Sequence, residues 1–529
     1  MIPQEIYRTL EAIVGPENIS QDQEIRQAYR NKDRGFINPE TETLGTTPDI
    51  VILPATTEEV QKIVKVASLS KVGYTPSITF WTPQAGARFD GCLHIDCKRM
   101  DSLEIDGKNM NATVGAGVNF AQLQAEALKH GLYTVVPGGG SQVGVIPNHL
   151  LFGFSPLTYR AGLAPRRIMG VEWILPDGEL VHLGSFASGS DGFWGEGIGP
   201  DLRGLLRGHI GWLGSLGIVT RMCVRLLPFH TAKLKPMQMD RHTFFMLPTD
   251  RQKWYNFSCP NKDVMVEFMY EIAHAEIAAA MTRVPIAWRY IARSGSKEQF
   301  WKLWPQDPEQ KRKEVAEFMI NRVMLICYAS KKQLEYEEKV LLTIAEKLGC
   351  TIRRTRQMDG SWMQSGDAVT MWYLTGTFMS TTGQLDSLDA SVQSGVEFAK
   401  MKKNYTPPLM EDHGDRGWFQ MNDFGHSGYL EFILHSDQDA GPEEGLKIAE
   451  FYHFASPKLV AQVGGLNFFN QIMSPLGHDN PLYGPNYGDF ARKVKEGLDP
   501  ENVSNPPGVL DTLDKVIDMN PPLKAMKDW

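Results

Sequence analysis

At 529 residues, with 42% hydrophobic and 22% charged content, the chain can bury a large core and form two or more domains. A formal net charge of -8 with dispersed basic residues weighs against nucleic acid as the main partner. Six cysteines without a C-x-x-C pair fit neither a disulfide framework nor a zinc site, and no run approaches the length of a membrane span, so a cytoplasmic protein without membrane insertion is expected.

In chain order, residues 1–45 read as an N-terminal arm with a short helical pattern and a polar tract. A regular domain over 46–230 opens with a strand at 50–53. Thr56 and Glu59 then form a capping box for a helix that buries Val60, Ile63, Val64 and Ala67. Asn119 caps a second helix, with Phe120, Leu123, Ala127 and Leu128 on one side and a stop at Gly131. VEWILPDGELVHLG reads as two strands turned at Pro176, Asp177 and Gly178. TRMCVRLLP alternates Arg221, Cys223 and Arg225 with Met222, Val224 and Leu226, as a half-buried strand does. From 231 the chain is richer in Met and aromatic residues with longer helices, one near 334–349. This marks a second domain over 231–464, with 465–529 returning to the first. The fold class is α+β.

The usual nucleotide fingerprints are absent: the sequence has no GxxxxGK[ST] loop and no strand-turn-helix G-x-G-x-x-G unit. Two segments are built to let main chain approach an anion, SITFWTPQAGA (77–87) and PGGGSQVG (137–144). Taken singly, each reads first as a structural turn.

Their order changes that reading. SITFWTPQAGA, GGGSQVG, PDGELV, GPDLRGLL, GSLGIVT and LDPENVSNPPG together resemble the FAD-linked oxidoreductases of the vanillyl-alcohol oxidase and p-cresol methylhydroxylase superfamily. The chain is also similar to proteins of the glycolate oxidase and D-lactate dehydrogenase type. The resemblance implies a p-cresol methylhydroxylase-type (PCMH-type) FAD-binding domain of two α+β subdomains, an α+β cap or substrate domain, and FAD as cofactor. It assigns the diphosphate to Ser77, Ile78, Thr79, Phe80, Trp81, Gln84, Ala85 and Gly86. It places Pro137, Gly138, Gly139, Gly140, Ser141, Gly144 and Asn148 by the flavin, Gly214, Gly217, Ile218 and Val219 by the adenosine, and Asn505 over the ring. In one departure, Thr79, Phe80, Trp81 and Pro83 replace the glycines usual in the diphosphate loop.

The family chemistry implied is hydride removal to the flavin, with electrons passing on to oxygen or to a protein acceptor, usually in a homodimer. Two tyrosines, an arginine and an aspartate serve the 4-alkylphenol branch, and those positions fall here on Gln84, Phe469, Asn470 and Val136. Without the arginine no cation meets a phenolate, so a neutral or partly hydrophobic alcohol, hydroxy acid or ring substrate is expected instead. Gln84, Asn470, Tyr159, His413 and His426 are the catalytic candidates, with His435 as a further histidine to weigh for tethering or proton transfer. GHSGYLEFILH keeps only the opening of the GHxGDGNxH metal motif, so no metal is expected. Two other readings stay open: an electron-relay or assembly component of a larger redox complex, and a scaffold that has lost FAD.

Overall fold

The computed structural model describes residues 2–30, 46–79, 86–87, 89, 91–138, 140–151, 153–184, 200–208, 212–229, 235–238, 243–246, 251–283, 285–286, 290, 294–304, 307, 309, 320–353, 378–412, 414–436, 441–451, 455, 459, 466–467 and 486–506. The chain begins with α1 (Gln4–Val14), β1 (Ile19–Ser20) and α2 (Gln23–Ala28). β1 then joins β2 (Ile50–Ile52), β3 (Tyr74–Ser77) and β4 (Leu93–Asp96) in a four-stranded sheet of order β1-β2-β4-β3. β2 and β3 both run parallel to β4, and the crossover between β2 and β3 is α3 (Thr57–Leu69).

α3 forms where the sequence signals it. The Thr56 hydroxyl accepts from the Glu59 N–H at 3.1 Å, while the Glu59 carboxylate turns back to the N–H of Ala55 at 2.7 Å, one residue earlier than a strict capping box. Its buried stripe is Val60, Ile63, Val64 and Ala67. Thr56→Ala is expected to cost about 1 kcal/mol, seen as a lower urea midpoint with an unchanged slope.

The second sheet contains β5 (Leu103–Asp106), β6 (Asn111–Gly115), β8 (Ile168–Ile174), β9 (Leu180–Leu183) and β10 (Ile218–Arg225) in the order β5-β6-β10-β8-β9, all antiparallel; between β6 and β8 lies the short β7 (Leu132–Tyr133), which pairs with β11 (Leu227–Pro228). α4 (Phe120–Lys129) starts at the capping box of Asn119 and Gln122, buries Phe120, Leu123 and Ala127, and leaves Leu128 only half-buried. β10 departs from the expected alternation, because Cys223 is buried beside Met222 and Val224. β10 is the middle strand, and both α3 and α5 (Val145–Leu151) pack on it, so Arg221 and Arg225 alone keep access to water.

Beyond the β12 (Lys235–Gln238) and β13 (Thr243–Met246) pair lies the largest sheet, built from β14 (Gln252–Ser258), β15 (Ala280–Arg283), β16 (Ile320–Ile326), β17 (Thr351–Arg353), β18 (Phe378–Asp386), β19 (Trp418–Asn422), β20 (Ser427–Ser436) and β21 (Leu466–Asn467). Among the described residues its order is β17-β14-β16-β15-β19-β20-β18-β21, with antiparallel pairing throughout. Met281, Val323, Phe419, Met421, Leu430 and Phe432 point from one face into a core with Phe268, Leu341 and Phe398. The opposite face carries Ala280, Met324 and Ile326, which pack against Tyr133, Val135 and Leu157 of the earlier half. One face therefore builds the helix-covered core, and the other meets the chain around residues 133–158.

After the large sheet, a helix at Tyr487–Leu498 leads the chain back to β3. Tyr74 donates its N–H to Val503 O at 2.8 Å, and Asn505 donates to Tyr74 O at 2.7 Å. The hinge of this return is buried. Lys495 Nζ donates to Ser215 O at 2.7 Å and Ser504 O at 3.0 Å and pairs with Asp499, whose carboxylate also accepts from the N–H groups of Val503 and Ser504.

Candidate functional site: four chain segments and a polar sheet face

Four segments far apart in sequence converge at the C-terminal end of β3. Thr75 Oγ1 lies 3.0 Å from Asn505 Oδ1, and Asn505 Nδ2 donates to Leu213 O at 2.5 Å. Ser504 Oγ donates to Gly214 O at 2.6 Å and accepts from the Gly217 N–H at 2.8 Å. Gly214 is at φ 78°, and a Cβ there would sit 2.6 Å from Pro76 Cγ, so close approach and backbone conformation both require glycine. Gly144 brings the glycine segment to the same place, since a Cβ on it would touch Ile78 Cγ2 at 3.5 Å. Ile218 and Val219 follow at the start of β10, both buried. Of the other residues assigned to FAD by resemblance, Ser77, Pro137, Gly86 and Gly140 are buried, and Ile78, Thr79, Gly138, Ser141 and Asn148 are half-buried. The Asn148 Oδ1 is a buried acceptor without a partner among the described residues. Phe80, Trp81, Gln84, Ala85 and Gly139 lie outside the described residues.

The glycine segment leads directly to the large sheet. Gly138 donates its N–H to Phe154 O at 3.0 Å, and the Phe154 ring lies 3.9 Å, centroid to centroid, from the ring of Tyr429 on β20. Cross-strand neighbours of Tyr429 are Gln420 on β19 and, next to that, Thr282 on β15. Gln420 Nε2 donates to Ser155 O at 2.6 Å, and Asn422 Oδ1 lies 2.6 Å from Thr158 Oγ1. These contacts leave the Thr282 hydroxyl, Gln420 Oε1 and Asn422 Nδ2 buried without partners among the described residues. Such groups are costly unless something pairs with them. Glu431 lies two residues beyond Tyr429 on the same side of β20, and its carboxylate accepts a hydrogen bond from the Tyr429 phenol. Burial first, and then this negative neighbour, push the Tyr429 hydroxyl well above its ordinary pKa, so it stays a proton donor.

The catalytic candidates from the sequence fall in different places. Tyr159 is fully buried and its hydroxyl donates to Ile277 O at 3.0 Å, with Phe424 edge-on against its ring. His426 is exposed at the turn before β20. His435 is buried near the far end of β20, and burial followed by the charge of Lys402 depresses its pKa to about 3. Gln84, His413 and Asn470 lie outside the described residues, as does Phe469, while Val136 is buried in the core of the first half. Sequence reasoning missed Thr282, Gln420, Asn422, Tyr429 and Glu431. A signal was present in WFQMN and GYLEF, which place polar groups at every second residue of buried strands.

Two further histidines support this region in the neutral state. His94 Nε2 lies 2.6 Å from Ser77 Oγ, and burial, then Lys98, holds its pKa down to about 3. His149 on α5 donates through Nδ1 to Val145 O at 2.8 Å, and burial, then Arg167, depresses it likewise to about 3. Both folded pKa values lie below the unfolded 6.5, so the unfolded chain takes up protons first. Their contribution is complete above pH 6.5 and is lost as pH falls towards 3. Each is expected to cost about 2 kcal/mol at pH 5, measured as a urea midpoint that falls between pH 7 and 5 and falls less in His94→Gln.

Residues 48–184 match the FAD binding domain family. An uncharacterised FAD-linked oxidoreductase of Mycobacterium tuberculosis is 33% identical over 221 residues, 41% of this chain and 44% of that protein. The mitochondrial D-lactate dehydrogenase (cytochrome) of Arabidopsis thaliana is 28% identical over 240 residues, 44% of this chain and 38% of that one. The chain thus matches less than half the length of these relatives. In fold, it is similar to p-cresol methylhydroxylase solved with substrate bound, with a TM-score of 0.73 at 16% identity over 97% of both chains. The segment convergence fits the cofactor: side chains are missing where main chains must approach, and an orphaned acceptor, Asn148 Oδ1, waits beside them. The chain carries an FAD-binding domain, is related there to the FAD-linked oxidoreductases, takes the p-cresol methylhydroxylase fold over its length, and has FAD as its cofactor.

Proposed function

We propose that this protein is an FAD-dependent oxidoreductase that removes a hydride from a small neutral substrate, an alcohol, a hydroxy acid or an activated ring C–H, and hands the electrons to oxygen or a protein acceptor. In this reading residues 46–230 hold the cofactor, residues 231–464 shape the substrate site, and residues 465–529 return to close the cofactor side. The observation that carries it is the juxtaposition of Gly138, Phe154 and Tyr429, which sets a buried sheet face against the glycine segment. Bound FAD supplies the hydride acceptor. Ser77, Ile78, Thr79, Gly86, Gly144, Gly214 and Asn505 would hold it, by main-chain approach more than by charge.

The sheet face does the substrate's work. Thr282 Oγ1, Gln420 Oε1 and Asn422 Nδ2 are neutral groups able to orient a hydroxyl or carbonyl. Phe154 and Tyr429 supply apolar ring surface that excludes water from the reacting C–H. Tyr429 keeps its proton and donates its one hydrogen bond to Glu431, which it thereby positions, and Glu431 is the acceptor for a proton released from a substrate hydroxyl. No arginine or lysine stands among these residues, which favours a neutral substrate over a phenolate.

Anaerobic mixing of the purified protein with a panel of alcohols, 2-hydroxy acids and alkylphenols tests this reading. Loss of the oxidised flavin absorbance with a neutral alcohol or hydroxy acid is the expected result. Bleaching by 4-alkylphenols alone contradicts the substrate assignment. Reduction only by a reduced protein partner favours an electron-relay role instead.

A further inference from the structure

A cavity of about 190 Å³ lies at the far end of the five-stranded sheet from Gly217, lined by Asn109, Met110, Arg166, Arg167, Met169 and Arg225. β8 and β10 pair along their length, with Ile174 opposite Ile218 at one end and Ile168 opposite Val224 at the other. Seven residues of extended chain put the cavity roughly 20 Å from the Gly214 and Ser504 cluster.

Its charge is unusual. Arg167 is only 4% exposed, and neither Nη1 nor Nη2 has a partner among the described residues. Burial, and then the nearby charge of Arg225, bring its pKa down to about 10, with only the neutral Tyr133 acting the other way. No carboxylate is among the groups that act on it. Arg225 is exposed at the end of β10, and Arg166 is engaged by Asp423. His149, the nearby imidazole, is neutral and already bonded to Val145 O, and brings no negative charge to the guanidinium. A buried guanidinium with two idle donors beside a second cation is a costly arrangement unless an anion completes it. The guanidinium fork matches the oxygens of phosphate, and two such forks suit a dianion better than a single carboxylate.

We propose that this cavity is an anion site, separate from the cofactor site, in which Arg167 and Arg225 bind a phosphate group, free or as a small phosphomonoester. Arg167 donates from the buried wall and Arg225 from the rim.

The test is calorimetric titration of the full chain, saturated with FAD in phosphate-free buffer at constant ionic strength, with inorganic phosphate, glycerol phosphate and acetate. Saturable binding of either phosphate is expected, weakened at least tenfold in both Arg167→Gln and Arg225→Gln and unchanged in Arg207→Gln, whose guanidinium pairs with Asp201. Tighter binding of glycerol phosphate identifies an organic phosphomonoester as the occupant, and equal or weaker binding identifies free phosphate. Arg225 is at the surface, so its variant reads the site even if Arg167→Gln fails to fold. Absence of saturable binding, equal affinity in wild type and Arg225→Gln, or acetate binding as tight as phosphate overturns the proposal.

Discussion

Lys495→Met is expected to destabilise the protein by about 3–5 kcal/mol, because it leaves the buried Asp499 carboxylate without its cation. In sequence the pair looks like an ordinary i,i+4 contact on a helix surface, worth a few tenths of a kcal/mol. In the fold both residues are buried, and Lys495 also holds the carbonyls of Ser215 and Ser504. Loss of the ammonium therefore frees the segment that clasps Tyr74, Gly214 and Gly217, where the cofactor segments meet. A thermal melt with parallel measurement of released flavin checks this. The melting temperature should fall and FAD should leave before global unfolding. A melting temperature within a degree of wild type would show that the return of the C-terminal helix does not depend on this pair.

The second large effect is catalytic. Glu431→Gln should lower kcat by about 10²–10⁴-fold, the range for removing a positioned proton acceptor, while FAD content stays unchanged. Tyr429→Phe removes the hydrogen bond to Glu431 but keeps the ring against Phe154, so the substrate KM should change less than kcat. Tyr159→Phe gives the contrast: its hydroxyl serves Ile277 O, so about 1 kcal/mol of stability is lost and kcat is retained. Equal loss of kcat in Tyr159→Phe and Tyr429→Phe would contradict the placement of the substrate on the sheet face.

Local features were legible in the sequence because they are set by near neighbours. The starts of the helices at Thr57 and Phe120 follow from Thr56 and Asn119, and the turn between β8 and β9 follows from Pro176, Asp177 and Gly178, where Gly178 adopts φ 86°. The cofactor was legible through the order of several small-residue segments, none of them decisive singly. The sheet face was not. Gln420, Asn422, Tyr429 and Glu431 alternate with apolar residues, and such a strand normally turns its polar side to water. Here that side meets residues 154–158, more than 250 positions earlier, and only tertiary structure reveals that Gln420, Asn422 and Tyr429 are buried and Glu431 half-buried. Cys223 misled for a related reason, since β10 is the middle strand of its sheet with both α3 and α5 packed on it, and Cys223 is buried with its neighbours. Arg167 gave no signal, because its burial depends on how three strands end together.

Flavin chemistry in this protein requires that the converging segments at Ile78, Gly144, Gly214 and Asn505 bind FAD. The most direct measurement is the absorbance spectrum of the purified chain after incubation with FAD and removal of the free cofactor, quantified against protein concentration. Oxidised flavin bands at about one FAD per chain are expected, strongly reduced in Gly214→Val, in which the added side chain runs into Pro76. A colourless chain, or a Gly214→Val variant that retains full flavin, would contradict it.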